Sequence, residues 1–276
     1  MSATAAVTAL CALAVGWAVI IVVGARDQVA PVLPGSPPGA SVGRRLREGL
    51  RVSTAVASAG FVGGLLGFGL GGRLMMRVLA ATSPDAQGLL TDAEERVGEV
   101  SLSGTIFLSV FLALFSTATA GIYWLMRRWL PRRSILAGLV AGGVGGGLLI
   151  RVSGLLNPAN RDFAILEPRW LAAMLCVAVV VLGSVTIAVL VDRWTPLWPM
   201  PARSVRGVAG LVPLVVFALP AAAGVGLIIV LVEMGTSTGS RRQRRTRGAS
   251  PARWVFTGAG ALGLAWIGFS AVEIVR

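Results

Sequence analysis

The sequence predicts an all-α protein that crosses a membrane as a bundle of about seven helices with glycine-rich packing faces. Hydrophobic residues make up 55% of the 276 residues and charged residues only 13%, with a mean hydropathy of +0.80. This is far more apolar than an ordinary soluble domain. Runs of about 20 apolar residues, the length a helix needs to cross a bilayer, recur along the chain. The predicted spans are residues 5–23, 52–72, 102–126, 134–156, 170–191, 207–232 and 254–274.

The composition excludes several kinds of chemistry. The chain has no histidine, and all 25 basic residues are arginine, so histidine metal ligation, histidine acid/base catalysis and lysine Schiff bases are absent. The net charge of +13 lies in short clusters between apolar runs, a distribution typical of topology signals and not of a nucleic-acid interface. No phosphate loop, nucleophile elbow or paired-cysteine motif occurs. We therefore predict no catalytic residue, no metal, no cofactor and no nucleic-acid partner.

The first two runs are interpreted as membrane spans joined by a flexible loop. Residues 5–23 have no basic segment before them and no small-residue cleavage site after them, so a span is favoured over a removed signal peptide. The loop at 24–51 is rich in proline and glycine and then basic. The second run, 52–72, contains seven glycines, among them Gly60 and Gly64 at the four-residue spacing that lets helices approach closely in lipid.

The remaining runs repeat these signals. Gly138, Gly142 and Gly146 give the fourth run a second small-residue stripe. For both stripes tight packing within the chain is favoured, with a homodimer face or a solute path as the alternative. The third run ends at Arg127 and the fifth at Asp192. Two prolines interrupt the sixth run, and the free thiols Cys11 and Cys176 lie inside apolar runs.

The arginine distribution predicts orientation. Short arginine-rich loops stay in the cytoplasm, so loop 24–51 and the segment RRWLPRR at 127–133 are predicted inside and the N-terminus outside. Simple alternation then places the basic loop 234–253 outside, against the same rule. Either the sixth run is a re-entrant hairpin or this loop is an exception. Seven crossings are favoured, because 26 residues are short for two deeply penetrating arms. If the loop is cytoplasmic, its arginines from Arg241 to Arg247 are expected to bind anionic lipid heads.

One group of polar residues forms a candidate ion-pair network or anion site. Arg73 and Arg77 share a helix face at the predicted outer boundary, and Arg151 lies near the outer end of the fourth span. Acidic residues in the facing loops, notably Asp162 and Glu167, provide partners. Arginines near helix ends usually reach the interface or pair with acidic loops, so a structural network is favoured over an anion-binding vestibule.

Four segments within residues 71–194 carry a likeness to known proteins: GGRLMMR at 71–77, LTD at 90–92, RDFAILEPRWL at 161–171 and DRW at 192–194. In these segments the chain resembles a family of uncharacterised multi-pass membrane proteins of high-GC Gram-positive bacteria. The resemblance implies a membrane location and the same helical bundle, but no activity.

Three functions remain open. The favoured one is an accessory or structural bundle protein that is embedded in the lipid bilayer and associates with a membrane-protein partner or with a second copy. The alternative is a channel or permease for a small anion or an apolar solute, with an arginine-lined outer vestibule. The last is an enzyme acting on lipid phosphate, with Asp92 or Glu167 as base.

Overall fold

The computed structural model describes residues 3–30, 41–90, 96–98, 101–153, 165–199 and 251–275. These parts are helical and contain no strand. The helices are α1 (Ala3–Gly24), α2 (Val42–Gly64), α3 (Leu70–Thr82), α4 (Leu102–Met126), α5 (Ser134–Ser153), α6 (Arg169–Leu197) and α7 (Pro251–Val275). The sixth predicted run, the basic segment from Arg241 to Arg247, Asp92 and Asp162 lie outside the described residues.

Four helical stretches within the described residues are long and apolar enough to cross a membrane, consistent with a membrane location. They are Ala5–Gly24, Gly43–Thr82, Leu102–Met126 and Arg169–Leu197. A shorter apolar helix covers Ser134–Leu148. Seven spans were predicted from the sequence, and these four helices account for only part of that number.

The second stretch is one continuous rod, longer at both ends than the predicted span. A single π-helical turn, Leu65–Gly69, joins α2 to α3, so the rod begins at Val42, ten residues before the predicted start at residue 52. It ends at Thr82 because Pro84 disfavours the helical conformation at Ser83.

Helix α4 begins and ends at the residues expected for the third run. The Ser101 side chain accepts a hydrogen bond from the Gly104 amide at 3.1 Å and thereby caps the first turn. Helix α6 extends beyond its predicted run, to Leu197. It is the central element and packs against every other α-helix of the described residues.

One end of the bundle joins the C-terminus of α1, the N-terminus of α2, the α4–α5 loop and the C-terminus of α6. Gln28 Nε2 donates to the carbonyl of Val189 at 3.2 Å, and the Ser134 amide donates to the carbonyl of Gln28 at 3.2 Å. Arg51 Nη1 donates to the carbonyl of Thr195 at 2.7 Å. We call this the basic end. It contains the exposed arginines Arg26, Arg44, Arg47, Arg128, Arg132, Arg133 and Arg193.

The opposite end joins the start of α1, the end of α3 and the start of α6. Arg77 Nε donates to Thr8 Oγ1 at 3.3 Å. The Ser83 hydroxyl donates to the carbonyl of Glu167 at 2.6 Å, and the Glu167 amide donates to Ser83 Oγ at 2.8 Å. Helix α1, the α2–α3 rod, α4, α5 and α6 therefore alternate in direction between the two ends.

Close helix contacts occur at several glycines. A Cβ on Gly138 of α5 would lie 2.7 Å from Val185 Cα of α6, and one on Gly60 of α2 would lie 2.8 Å from Thr117 Cα of α4. Real Cβ atoms do not approach backbone so closely, so these positions accept only glycine without a shift of the helices.

Helix α7 packs on α5 and runs in the same direction. A Cβ on Gly260 would meet Val140 Cα at 2.8 Å, whereas one on Gly147 would meet Gly263 Cα at 3.3 Å. Higher residue numbers in α7 therefore lie beside higher numbers in α5. Ile267 continues this trend, since it packs in a cluster with Leu79 near the opposite end.

Candidate functional site

The structure places Arg73 and Arg77 on the face of α3 that approaches α1. Arg73 is 6% exposed, and its Nη1 lies 3.9 Å from Met76 Sδ. Arg77 is half-buried; besides the bond to Thr8, its Nη1 donates to the carbonyl of Gly98 at 3.1 Å. The two arginines thus share a helix face, as the four-residue spacing requires, and the described contacts of Arg77 are structural.

The other members of the predicted cluster are not brought together in the described residues. Arg151 lies in the last turn of α5, but its side chain is outside the described part, as is all of Asp162. The Glu167 side chain is exposed, and its hydrogen bonds to Ser83 are made by the backbone. The anion site and the ion-pair network therefore remain predictions.

The most deeply buried ion pair among the described residues lies at the basic end, between α4 and α6. Arg127 Nε donates to both Asp192 oxygens, at 2.8 and 3.1 Å. The side chains of these residues are 13% and 3% exposed. Tyr123, one turn before Arg127, donates from its hydroxyl to Asp192 Oδ2 at 3.1 Å. The carboxylate is thereby bound by a charged donor and a neutral donor from the same helix.

Arg127 also holds the loop that follows it. Its Nη1 donates to the carbonyl of Pro131 at 2.5 Å, and its Nη2 donates to the carbonyl of Arg132 at 2.9 Å. A planar guanidinium presents donors in a fixed fork, so this one side chain fixes the tight turn between α4 and α5 relative to Asp192 of α6. Three helices are joined at one residue.

A second arginine closes the C-terminus of α6. Arg51 of α2 donates to the carbonyls of Thr195 at 2.7 Å and Trp198 at 3.2 Å, two acceptors in the last turn and just beyond the helix, where carbonyls lack helical partners. Its Nε donates to Glu48 Oε1 at 3.1 Å. The positive charge also suits the negative end of the helix dipole.

Several hydroxyl groups in the helix interiors bond to the backbone of their own helix. Ser116 donates to the carbonyl of Leu112 at 2.7 Å, and Thr186 donates to the carbonyl of Leu182 at 2.7 Å. The hydrogen-bonding capacity of these two hydroxyls is thus used within their own helices.

The described polar side chains mainly connect parts of the bundle. Within the described residues no cluster of three or more cysteine and carboxylate side chains could hold a metal ion. The two cysteines are free thiols, Cys11 in α1 and Cys176 in α6. The charged groups with the clearest geometry, Arg51 and Arg127, are engaged by carboxylates and carbonyls from other parts of the bundle.

Sequence reasoning treated Arg127 and Asp192 as markers of span ends and missed their pairing. The signal was present, because both residues end apolar runs that were predicted to finish on the same face of the membrane. Two opposite charges at one depth on neighbouring helices are the expected partners for each other.

Comparison with known proteins finds no matching family model, no similar curated protein and no similar solved structure.

Proposed function

We propose that this chain is a multi-pass protein of the bacterial inner membrane, with the basic end in the cytoplasm and the N-terminus outside, that serves as an accessory or structural subunit of a larger membrane assembly. The lipid bilayer surrounds it, and its remaining partner is a second membrane protein or another copy of the chain. No catalytic, metal or cofactor chemistry is part of this proposal. Membership of the Gram-positive family that residues 71–194 resemble belongs to the proposal as well.

The observation that carries it is the Arg127–Asp192 pair. Charged side chains within a membrane protein are costly, and most mark either a transport path or an internal pair. Here the carboxylate accepts bonds from Arg127 and Tyr123, and the guanidinium also binds two loop carbonyls. The carboxylate and the guanidinium thus bind each other and neighbouring parts of the bundle. This supports a structural protein over a transporter.

The close glycine contacts support the same interpretation. At Gly60, Gly138 and Gly260 an added Cβ would fall within 2.8 Å of a carbon atom in a neighbouring helix. Small residues at such crossings let helices pack tightly in lipid. We propose that these glycine-rich faces are used within the chain, which leaves the exposed aromatic side chains of α4, Phe107, Phe111 and Phe115, for lipid or a partner helix.

A native purification tests the accessory role. The chain is extracted in a mild detergent, and everything that remains bound is identified by mass spectrometry. The proposal expects a fixed stoichiometry with a second protein or with a further copy of the chain, retained by the wild-type chain and by the surface variant Arg193→Gln. A monomeric chain that retains no other polypeptide would overturn the accessory role.

One observation favours the second candidate, a channel or permease for a small anion. Arg73 is 6% exposed and follows the π-helical turn Leu65–Gly69 by four residues, and such turns recur at functional sites. Reconstituted vesicles decide between the two. Anion flux that is lost in Arg73→Gln but kept in the matched surface variant Arg47→Gln would favour a permease.

A further inference from the structure

The direction of α7 determines the end of the bundle at which it starts. Gly260 lies beside Val140, six residues into α5, whereas Ile267 packs with Leu79 and Ala172 near the opposite end. Pro251 precedes Gly260 by nine helical residues, or about 14 Å at 1.5 Å per residue. Ser134 precedes Val140 by about 9 Å on the same scale. Pro251 therefore lies at least as far toward the basic end as the start of α5.

Helix α6 finishes at that same end. Thr195 lies in its last turn, and its carbonyl accepts a bond from Arg51. Asp192, one turn earlier, pairs with Arg127 at the close of α4. The chain thus leaves the described bundle at Leu197 and re-enters it at Pro251 from one and the same end.

We infer that Leu197 and Pro251 lie on the same side of the membrane, so that the chain crosses it an even number of times between them. Seven alternating crossings would require α7 to run in the direction of α4 and α6. It runs instead in the direction of α5. This inference rests on the membrane placement proposed above, and it replaces the simple alternation that the sequence favoured.

The arginine distribution supports the inference independently. Under simple alternation the segment SRRQRRTR at 240–247 falls outside, where arginine-rich loops are disfavoured. An even number of crossings moves this segment to the face that already holds Arg44, Arg47, Arg132 and Arg133. All the strongly basic segments of the chain then share the cytoplasmic face, and the rule is obeyed throughout.

Single-cysteine labelling of the full chain tests the inference. Cysteine is placed at Ser240 or Glu273 in a chain carrying Cys11→Ala and Cys176→Ala, and an impermeant maleimide is applied to intact cells and to inverted vesicles. Two exposed reference positions calibrate each face, namely Arg132 for the basic end and Gln87 for the opposite end. The chain without cysteine controls for background, and membrane abundance controls for folding.

The inference expects Ser240 to label from the same side as Arg132, and Glu273 from the same side as Gln87. Labelling of Ser240 with Gln87, or of Glu273 with Arg132, would overturn it. If the two references label from one side, the membrane-crossing placement fails, and this inference fails with it. Labelling at Ser240 and Glu273 is compared only with labelling at Arg132 and Gln87. The number of crossings is therefore tested separately from which face is cytoplasmic.

Discussion

Replacing Asp192 by asparagine is expected to destabilise the bundle by about 2–3 kcal/mol. Asparagine keeps the size of the side chain but removes the charge that Arg127 faces at 2.8 Å. Breaking a buried ion pair by removing one partner costs about 3–5 kcal/mol, because the other charge is left buried. Arg127 keeps 13% of its side chain exposed and retains two carbonyl acceptors, so we expect a value at or just below the lower end of that range.

Equilibrium unfolding in mixed micelles with increasing dodecyl sulfate measures this loss, with tryptophan fluorescence as the signal from the eight tryptophans. Tyr123→Phe removes one neutral hydrogen bond to Asp192 and should cost about 1 kcal/mol. Adding Arg127→Gln to Asp192→Asn should cost less than the sum of the two single changes, by about 1–3 kcal/mol. The neighbouring exposed Arg193→Gln serves as control and should stay within about 0.5 kcal/mol of the wild-type chain. An Asp192→Asn variant as stable as Arg193→Gln would refute the assigned role of the pair.

Two further changes test other contacts of the bundle. Gly138→Ala should lower the free energy of unfolding by about 1–3 kcal/mol, because its Cβ would lie 2.7 Å from the backbone of the neighbouring helix. The control Gly145→Ala on the same helix meets nothing within 4 Å and should be neutral or slightly stabilising. Equal effects of the two changes in the unfolding assay would count against tight packing at this crossing. Arg51→Gln should lower the free energy of unfolding by about 1.5–3 kcal/mol, since a charged donor to two carbonyls is lost. The exposed control Arg47→Gln should leave the unfolding midpoint unchanged. A midpoint shift of the same size in both variants would assign the effect to net charge.

The helices of the described residues were predictable where hydropathy and capping agree. Helix α4 occupies the expected residues because an apolar run is bounded by the cap at Ser101 and the charge at Arg127. The start of the α2–α3 rod was not predictable in this way. Its first turns carry Arg44, Arg45 and Arg47, which lower the hydropathy while leaving helix propensity high.

The candidate site was harder to predict for a physical reason. Charges at the ends of apolar runs normally face water, so Asp192 was interpreted as a boundary residue. Helix α6 instead continues to Leu197, and packing against α4 leaves only 5% of Asp192 exposed. Which charge at a helix end becomes buried depends on the neighbouring helix, and a single sequence gives no direct information on helix neighbours.

The direction of α7 shows the same limit. Hydropathy places an apolar helix near residues 254–274, but both directions of crossing give the same hydropathy. The direction was set by tertiary contacts of Gly260 and Gly263 with α5. The arginine rule had already indicated the conflict at residues 240–247, and the packing of α7 agrees with that rule and not with simple alternation.

The membrane orientation of the two reference positions tests the central claim most directly. Gln87 and Arg132 are both exposed and lie at opposite ends of the bundle, so cysteine at each is labelled in intact cells with an impermeant maleimide, before and after permeabilisation. A bundle that spans the membrane with its basic end in the cytoplasm should label at Gln87 in intact cells and at Arg132 only after permeabilisation. Labelling of both positions in intact cells, or of Arg132 alone, would contradict that account.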